Sequence, residues 1–217
     1  FSFNLAIIRT VGTLGVTAYS IVGYVCAVVN MVLIGVTHGA QPLMSFSHGQ
    51  GDKKAFFHAY RLGVRTNIII PVIVVGLCFT FSEGIVSLFR SDNPELTALT
   101  SRMLQLYPLA HIAIGVTLMN VLYFQTTERN TFSAVISFLR CIGFIQVFLL
   151  LSVYLFDGKG LYLAFFSGEL CHLVISQIFV KRTKRLEDMA VQTQRFLNKG
   201  DRKGERESDI PFKDFTD

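Results

Sequence analysis

Glu169 is the residue whose setting most invites chemistry. It stands in the apolar run 161–180, and no other acidic residue falls inside a complete apolar run. His172 follows at three residues and Ser176 at seven, spacings that put all three on one helix face, with Gln177 beside them. A carboxylate next to an imidazole in apolar surroundings can exchange protons or hold a cation. The alternative is structural, with the carboxylate satisfied by His172 or by Arg140. Arg140 sits in the apolar run 131–156. It is expected as a structural ion-pair partner, snorkelling to the surface or meeting a carboxylate of another helix.

Asn4, Asn30, Gln41, His111 and Asn120 join Glu169 and His172 as candidates for lining a substrate or ion pathway. His111 and Asn120 are nine residues apart and so face different directions, with Pro108 just before them. A helix broken by proline can free a carbonyl toward a cavity. Amides such as Asn4, Asn30 and Gln146 otherwise hold helices together. Gln41-Pro42-Leu43, among Gly35, Gly39, Gly49 and Gly51, suits a helix end that turns sharply. Cys26, Cys78, Cys141 and Cys171 lack CxxC spacing, so neither a metal site nor a disulfide framework is expected. No Walker A, GxGxxG, HExxH or GxSxG pattern occurs.

The elements that position these residues read as membrane spans. The 217 residues are 51% hydrophobic and 16% charged, against about a quarter charged in soluble domains. Thr10 to Gly51 and Met103 to Thr127 carry no Asp, Glu, Lys or Arg. A helix needs about 20 apolar residues to cross a bilayer. Residues 1–10 read as the tail of a first span, joined through Val11–Gly15 to a second at 17–42. A polar loop, Ser45 to Lys54, leads to a third span at 58–82, with Pro71 as a tolerated kink. Loop 83–101 follows, where Ser91 or Asp92 is expected to cap a short interfacial helix. The remaining spans are 102–125, 131–156 and 161–180. The fold class is therefore an all-α integral membrane bundle of six helices, its first helix truncated.

Charge gives the bundle a direction. Lys53, Lys54, Arg61, Arg65, Arg129, Lys181, Arg182, Lys184 and Arg185 fall on one side. The other has Arg9, Arg90, Arg102 and Lys159, mixed with Glu83, Asp92, Glu95 and Asp157. The positive-inside rule puts the nine, and the C-terminus, in the cytoplasm. The membrane lobe spans 1–182; 183–197 is an amphipathic or helical extension, and 198–217, charged and poor in apolar residues, is expected to be disordered. The net charge of +5 lies beside apolar spans and is not a nucleic-acid signal.

Two stretches resemble a known family. Gly35-Val-Thr-His-Gly-Ala-Gln-Pro-Leu-Met-Ser-Phe-Ser-His-Gly-Gln-Gly-Asp52 resembles the second-helix end and following loop of a lobe of the multidrug and toxic compound extrusion (MATE) transporters. Asn120-Val-Leu-Tyr-Phe-Gln-Thr-Thr-Glu-Arg129 is similar to the end of their tenth helix. Asn4, Arg140 and Gly168-Glu169 fit more weakly. The resemblance covers about 1–185 and implies twelve helices in two lobes, alternating access, and drive by sodium or protons. This chain would be helices seven to twelve, the C-terminal lobe. Some members carry an acidic residue in helix ten, but 103–127 has none. The coupling site is therefore expected mainly in an N-terminal lobe that this sequence does not contain.

The expectation is the C-terminal half of a cation-coupled multidrug or toxin efflux antiporter, not an enzyme, in the cell membrane. No cofactor is expected beyond the coupling H⁺ or Na⁺. Its partners would be the lipid bilayer, the N-terminal lobe and small organic, cationic substrates, with no nucleic acid. The alternatives are a lipid-linked oligosaccharide flippase of the same superfamily and a membrane-embedded lipid-modifying enzyme. A flippase cavity would be richer in Arg and Lys. An enzyme would need acid–base groups clustered at one membrane face, where the loops offer only Asp52, Glu128 and scattered His.

Overall fold

The computed structural model describes residues 7–8, 12–89, 93–140, 146–148, 150–151, 165–186 and 189, and their regular structure is entirely helical. The helices are α1 (Gly12–Gly49), α2 (Lys53–Ser87), α3 (Pro94–Leu106), α4 (Ala110–Thr126) and α5 (Asn130–Phe138). A 3₁₀ turn, Tyr107–Leu109, joins α3 to α4. Residues 146–148 and 150–151 are helical, and α6 covers 165–186. The chain divides into two compact units, Phe1–Gln177 and Ile178–Asp217. In the second unit, 178–186 and Met189 are helical. Asn4, the first-span tail at 1–6 and the tail 198–217 lie outside the described residues.

Several boundaries differ from the sequence expectation, for one reason. Hydropathy marks the hydrocarbon layer, but a helix does not stop where the lipid does. At 1.5 Å per residue the 38 residues of α1 reach about 57 Å, well beyond a core of about 30 Å. The expected connection Val11–Gly15 and the expected loop Ser45–Lys54 are therefore largely helix, and α1 runs unbroken through Gly35, Gly39 and Pro42. The reversal comes at Gln50–Asp52. Gly51 has φ +71°, where a side chain would be strained. The Gly51 and Asp52 amides bond back to His48 and Ser47 at 3.0 Å, closing a Schellman turn. Asp52 then caps α2 by accepting from the Ala55 amide at 3.0 Å.

The cap of α3 is Asn93 and not Ser91 or Asp92, both outside the described residues; Asn93 Oδ1 accepts from the Glu95 and Leu96 amides. It stands directly before Pro94, whose missing amide suits the first helical position. In α2 the non-helical residue is Phe81 (φ −120°, ψ 22°), not Pro71, which is buried within regular helix.

The helices differ in how they use apolar surface. α4 is buried nearly all round: Ile114, Met119, Leu122 and Phe124 are all inaccessible. Such a helix belongs at the centre of a bundle, and α4 packs against α1, α2 and α5. By contrast α1 and α2 expose Tyr24, Met31, Phe46, Ile69, Ile73 and Phe79. Continuous apolar exposure on that scale suits lipid or another membrane segment. α1, α2 and Pro94–Thr126 are each long and apolar enough to cross a membrane.

Close approach at the centre depends on missing side chains. A Cβ on Gly115 would run into the Asn67 backbone carbonyl, and one on Gly63 would meet the flexible end of Met119. Small residues at such crossings let membrane helices approach closely. Gly115→Ala should therefore lower stability by about 1–3 kcal/mol through overpacking. Gly63→Ala should cost less because Met119 can swing aside. Gly23→Ala, facing open space, is the control. Thermal denaturation in detergent ranks the three, and a Gly115→Ala protein as stable as the Gly23→Ala control would contradict this packing.

Candidate functional site

Three sets of polar side chains lie inside the first unit. The first joins α5 and α6. Glu169 is 1% exposed, and its Oε1 accepts from Arg140 Nε at 3.2 Å. Its other oxygen, Oε2, lies 3.9 Å from His172 Nδ1, one helical turn on. His172 is also buried, and its Nε2 lies 2.8 Å from the Ile136 carbonyl. A carbonyl only accepts, so Nε2 carries the hydrogen. The α5 helix widens into a π-type turn at 139–140, where Arg140 turns to its partner; such turns occur often at functional sites. Arg140 remains 26% exposed along its side chain, so the pair reaches from the interior to the surface of the unit.

The second set joins three helices. Tyr60 OH on α2 donates to Asn120 Oδ1 on α4 at 2.6 Å. Asn120 Nδ2 donates to Ser176 Oγ on α6 at 2.9 Å, and Ser176 donates to the Leu173 carbonyl. Asn120 is inaccessible and uses both ends of its amide. The third set joins α1, α2 and α4. Asn67 Nδ2 donates to Thr37 Oγ1 at 3.0 Å and to the Gly115 carbonyl at 3.2 Å. Thr37 in turn donates to the Leu33 carbonyl.

The remaining candidates are placed apart from these sets. His111 is 1% exposed, and neither ring nitrogen makes a hydrogen bond of good geometry. The carbonyls of Tyr107, Cys26 and Pro108 lie near its ring. Asn30 is half-buried on α1. Gln41 lies within α1, and its Oε1 is 3.2 Å from His38 Nδ1 near the surface. The structure thus brings Glu169, His172 and Arg140 together, ties Asn120 to Ser176, and leaves Asn30 and Gln41 elsewhere.

Tyr60 and Asn67 do not appear among the sequence candidates. Asn67 gives the same signal as Asn120, an amide in an apolar run, and was legible. Tyr60 lies near the start of the expected span 58–82, where a tyrosine reads as an interfacial anchor, and only the packing places its hydroxyl on Asn120 inside the bundle. No group of three or more potential metal ligands is present among the described residues.

The ion pair makes a sharp energetic prediction. Removing one partner of a buried pair leaves a bare charge and costs about 3–5 kcal/mol, whereas removing both is often neutral. Arg140→Leu should therefore destabilise the protein more than the double variant Arg140→Leu/Glu169→Leu does. Thermal unfolding of the purified protein measures both, and a double variant less stable than Arg140→Leu would show that the pair is not the dominant interaction here.

Comparison with known proteins places this architecture. Among curated proteins no sequence matches the chain. Among solved structures, a MATE transporter in a bent conformation aligns with TM-score 0.78 at 15% identity, covering 88% of this chain and 42% of that one. A transporter of the MOP superfamily from Pyrococcus furiosus, described as having a binding pocket of reversed polarity, aligns with TM-score 0.77 at 16% identity over 84% of this chain and 41% of its own. An outward-facing multidrug resistance MATE transporter gives 0.76 at 14%, over 85% and 43%. The chain thus spans less than half the length of each. A family model described as MatE matches residues 1–151, and the chain belongs to this MATE family of multi-pass membrane transporters.

Proposed function

We propose that this chain is the C-terminal lobe, helices seven to twelve, of a two-lobe antiporter in the cell membrane. It exports small organic cations by alternating access against a proton or sodium gradient, with its C-terminus in the cytoplasm. The observation that carries the reading is the likeness to less than half of transporters solved in both outward-facing and inward-facing conformations. The hydrogen-bonded sets across α1, α2, α4 and α6 support the reading of these helices as one lobe. The nine basic residues flanking the spans on one side support the orientation.

Charge supports this substrate class. The basic side chain deep in the described spans is Arg140, and Glu169 neutralises it. A flippase for lipid-linked oligosaccharide would present uncompensated Arg and Lys to a pyrophosphate-linked headgroup, and this lobe offers none among its described interior residues. With no carboxylate in α4, most of the coupling is assigned to the partner lobe and a share to Glu169.

Cells carrying the complete transporter should export a fluorescent organic cation while the proton and sodium gradients stand and stop when both are collapsed. Glu169→Gln should lower export several-fold at unchanged membrane abundance. Export that persists without either gradient would refute the coupling. Unchanged export by Glu169→Gln would return that residue to a purely structural role.

A further inference from the structure

We propose that the start of α2 binds an anionic phospholipid, its phosphate gripped by Arg61 and Arg65 and an acyl chain lying along the apolar face beyond them. The inference goes beyond the transport reading and stands whichever substrate is carried. It begins with spacing. Lys54, His58, Arg61 and Arg65 recur at intervals of three or four residues, so they form one stripe along α2. The same face continues through Ile69, Val72 and Phe79, and every one of these residues is exposed. The stripe changes character once, from basic to apolar, between Arg65 and Ile69.

Depth makes that change informative. Arg65 and Glu83 bound the charge-free part of α2. At 1.5 Å per residue the step from one to the other rises about 27 Å, less than a hydrocarbon core of about 30 Å. The Arg65 backbone therefore sits at the edge of the hydrocarbon, on a face turned outward. A charged side chain there reaches back toward the headgroups. Helical side chains tilt toward the helix start, which brings the Arg65 fork toward Arg61. Arg61 shows the same direction directly: its Nε donates to the Phe57 carbonyl at 3.1 Å, one turn nearer the start of α2. That bond holds the guanidinium back along the helix and leaves its two Nη groups facing outward. Two guanidinium forks one turn, or about 6 Å, apart can grip a phosphodiester between them.

Charge selects the kind of lipid. Across 51–82 the acidic residue is Asp52, whose carboxylate accepts from the Ala55 amide at the helix cap. Glu128, exposed on the turn between α4 and α5, is the other described carboxylate at this end of the first unit. Lys53, Lys54, Arg61 and Arg65 outnumber them, and no ion pair among the described residues neutralises the four. A zwitterionic lipid would bring its own cation into this field, whereas an anionic one brings only negative charge. The apolar part of the stripe, Ile69 to Phe79, rises about 15 Å, the depth of the chains in one leaflet. α2 is also the least buried of the three long spans. A free phosphate would use the forks and leave this apolar stretch idle. Both parts on one continuous face fit an amphiphile.

The test is photolabelling of the complete transporter in phosphatidylcholine vesicles. These carry a small amount of phosphatidylglycerol, or of phosphatidylcholine, with a diazirine in the acyl chain, and labelled peptides are mapped by mass spectrometry. The phosphatidylglycerol probe should label 69–79 at least ten-fold more than the phosphatidylcholine probe. Unlabelled phosphatidylglycerol should compete, and inorganic phosphate should not. Arg61→Gln or Arg65→Gln alone should weaken the preference about five-fold, and the double variant should abolish it. Arg61→Lys/Arg65→Lys, which keeps the charges and loses the forks, should retain a reduced preference. Arg102→Gln, exposed on α3, should change nothing. Both α2 arginines are exposed, so the double Gln variant should unfold at the temperature of the unsubstituted protein; if it does not fold, the Lys pair and the competition carry the test. Equal labelling by the two probes, or a preference that survives Arg61→Gln/Arg65→Gln, would overturn the site. Displacement by inorganic phosphate would show a free-anion site instead of a lipid site. Absence of label on 69–79 from either probe would mean that protein covers this face, the N-terminal lobe or the acidic C-terminal residues, and would equally overturn it. None of these results bears on the export measurement.

Discussion

Apolar side chains give membrane helices no preference for each other over lipid, so something else must hold this bundle together. That constraint organises the rest of the structure. In water, burying Ile114 and Met119 would drive association, but in hydrocarbon the same contacts compete with equally apolar lipid tails. What remains is close approach and hydrogen bonding. Both converge on α4. Asn120 joins it to α2 and α6 through Tyr60 and Ser176, and the Gly115 carbonyl joins it to Asn67 of α2 and, through that amide, to Thr37 of α1. Each such bond is worth little in membranes, of the order of 0.6 kcal/mol on average. Their placement on one central helix makes them collectively decisive.

Gly115 shows how the two devices cooperate. Its missing side chain lets the Asn67 backbone approach, and the same approach brings the Asn67 amide to the Gly115 carbonyl. The backbone contact and the hydrogen bond are thus one feature. Met119, one turn on, fills the space left by Gly63. An unbranched thioether suits such an irregular gap. A further layer of aromatic packing surrounds Tyr123, whose ring lies 5.8 Å from those of Phe56 and Tyr60 and 5.3 Å from that of Phe124.

Much of this was legible in the sequence, and the gaps have physical causes. Charge-free runs located the apolar helices, because insertion penalties act on every residue of a span. The helical spacing of Glu169, His172 and Ser176 marked a shared buried face. Helix ends were not legible, because polar residues such as Ser45, Ser47 and His48 are compatible with helix once outside the lipid. Pro71 gave a false signal for a kink: it lies buried in regular helix, while the irregular residue is the exposed Phe81. Tertiary partners were not legible either. The sequence offers Asn67, Asn120 and Tyr60 as polar groups that need partners, and only the packing decides that Asn120 takes Tyr60 and Ser176.

The distribution of order along the bundle also has a physical basis. At the end where α1 meets α2 and α4 meets α5, both reversals are closed Schellman turns. The second uses Glu128 at φ +60°, with the Arg129 amide bonded to the Phe124 carbonyl at 2.9 Å. Tyr60, Asn120 and the Tyr123 aromatic layer lie toward this end. The opposite end contains the irregularities: Phe81 in α2 and the 3₁₀ turn at Pro108. Packing there is carried by apolar contacts among Ala18, Val22, Cys78, Val86, Leu104 and Tyr107. Directional bonds resist sliding, whereas apolar contacts tolerate it. Helices joined by hydrogen bonds at one end and by apolar packing with broken backbone at the other can therefore bend at the second end without losing register at the first. Glu169 and His172 lie between these regimes on α6, above Ser176 and below Phe165, which packs on Tyr107 at 5.7 Å.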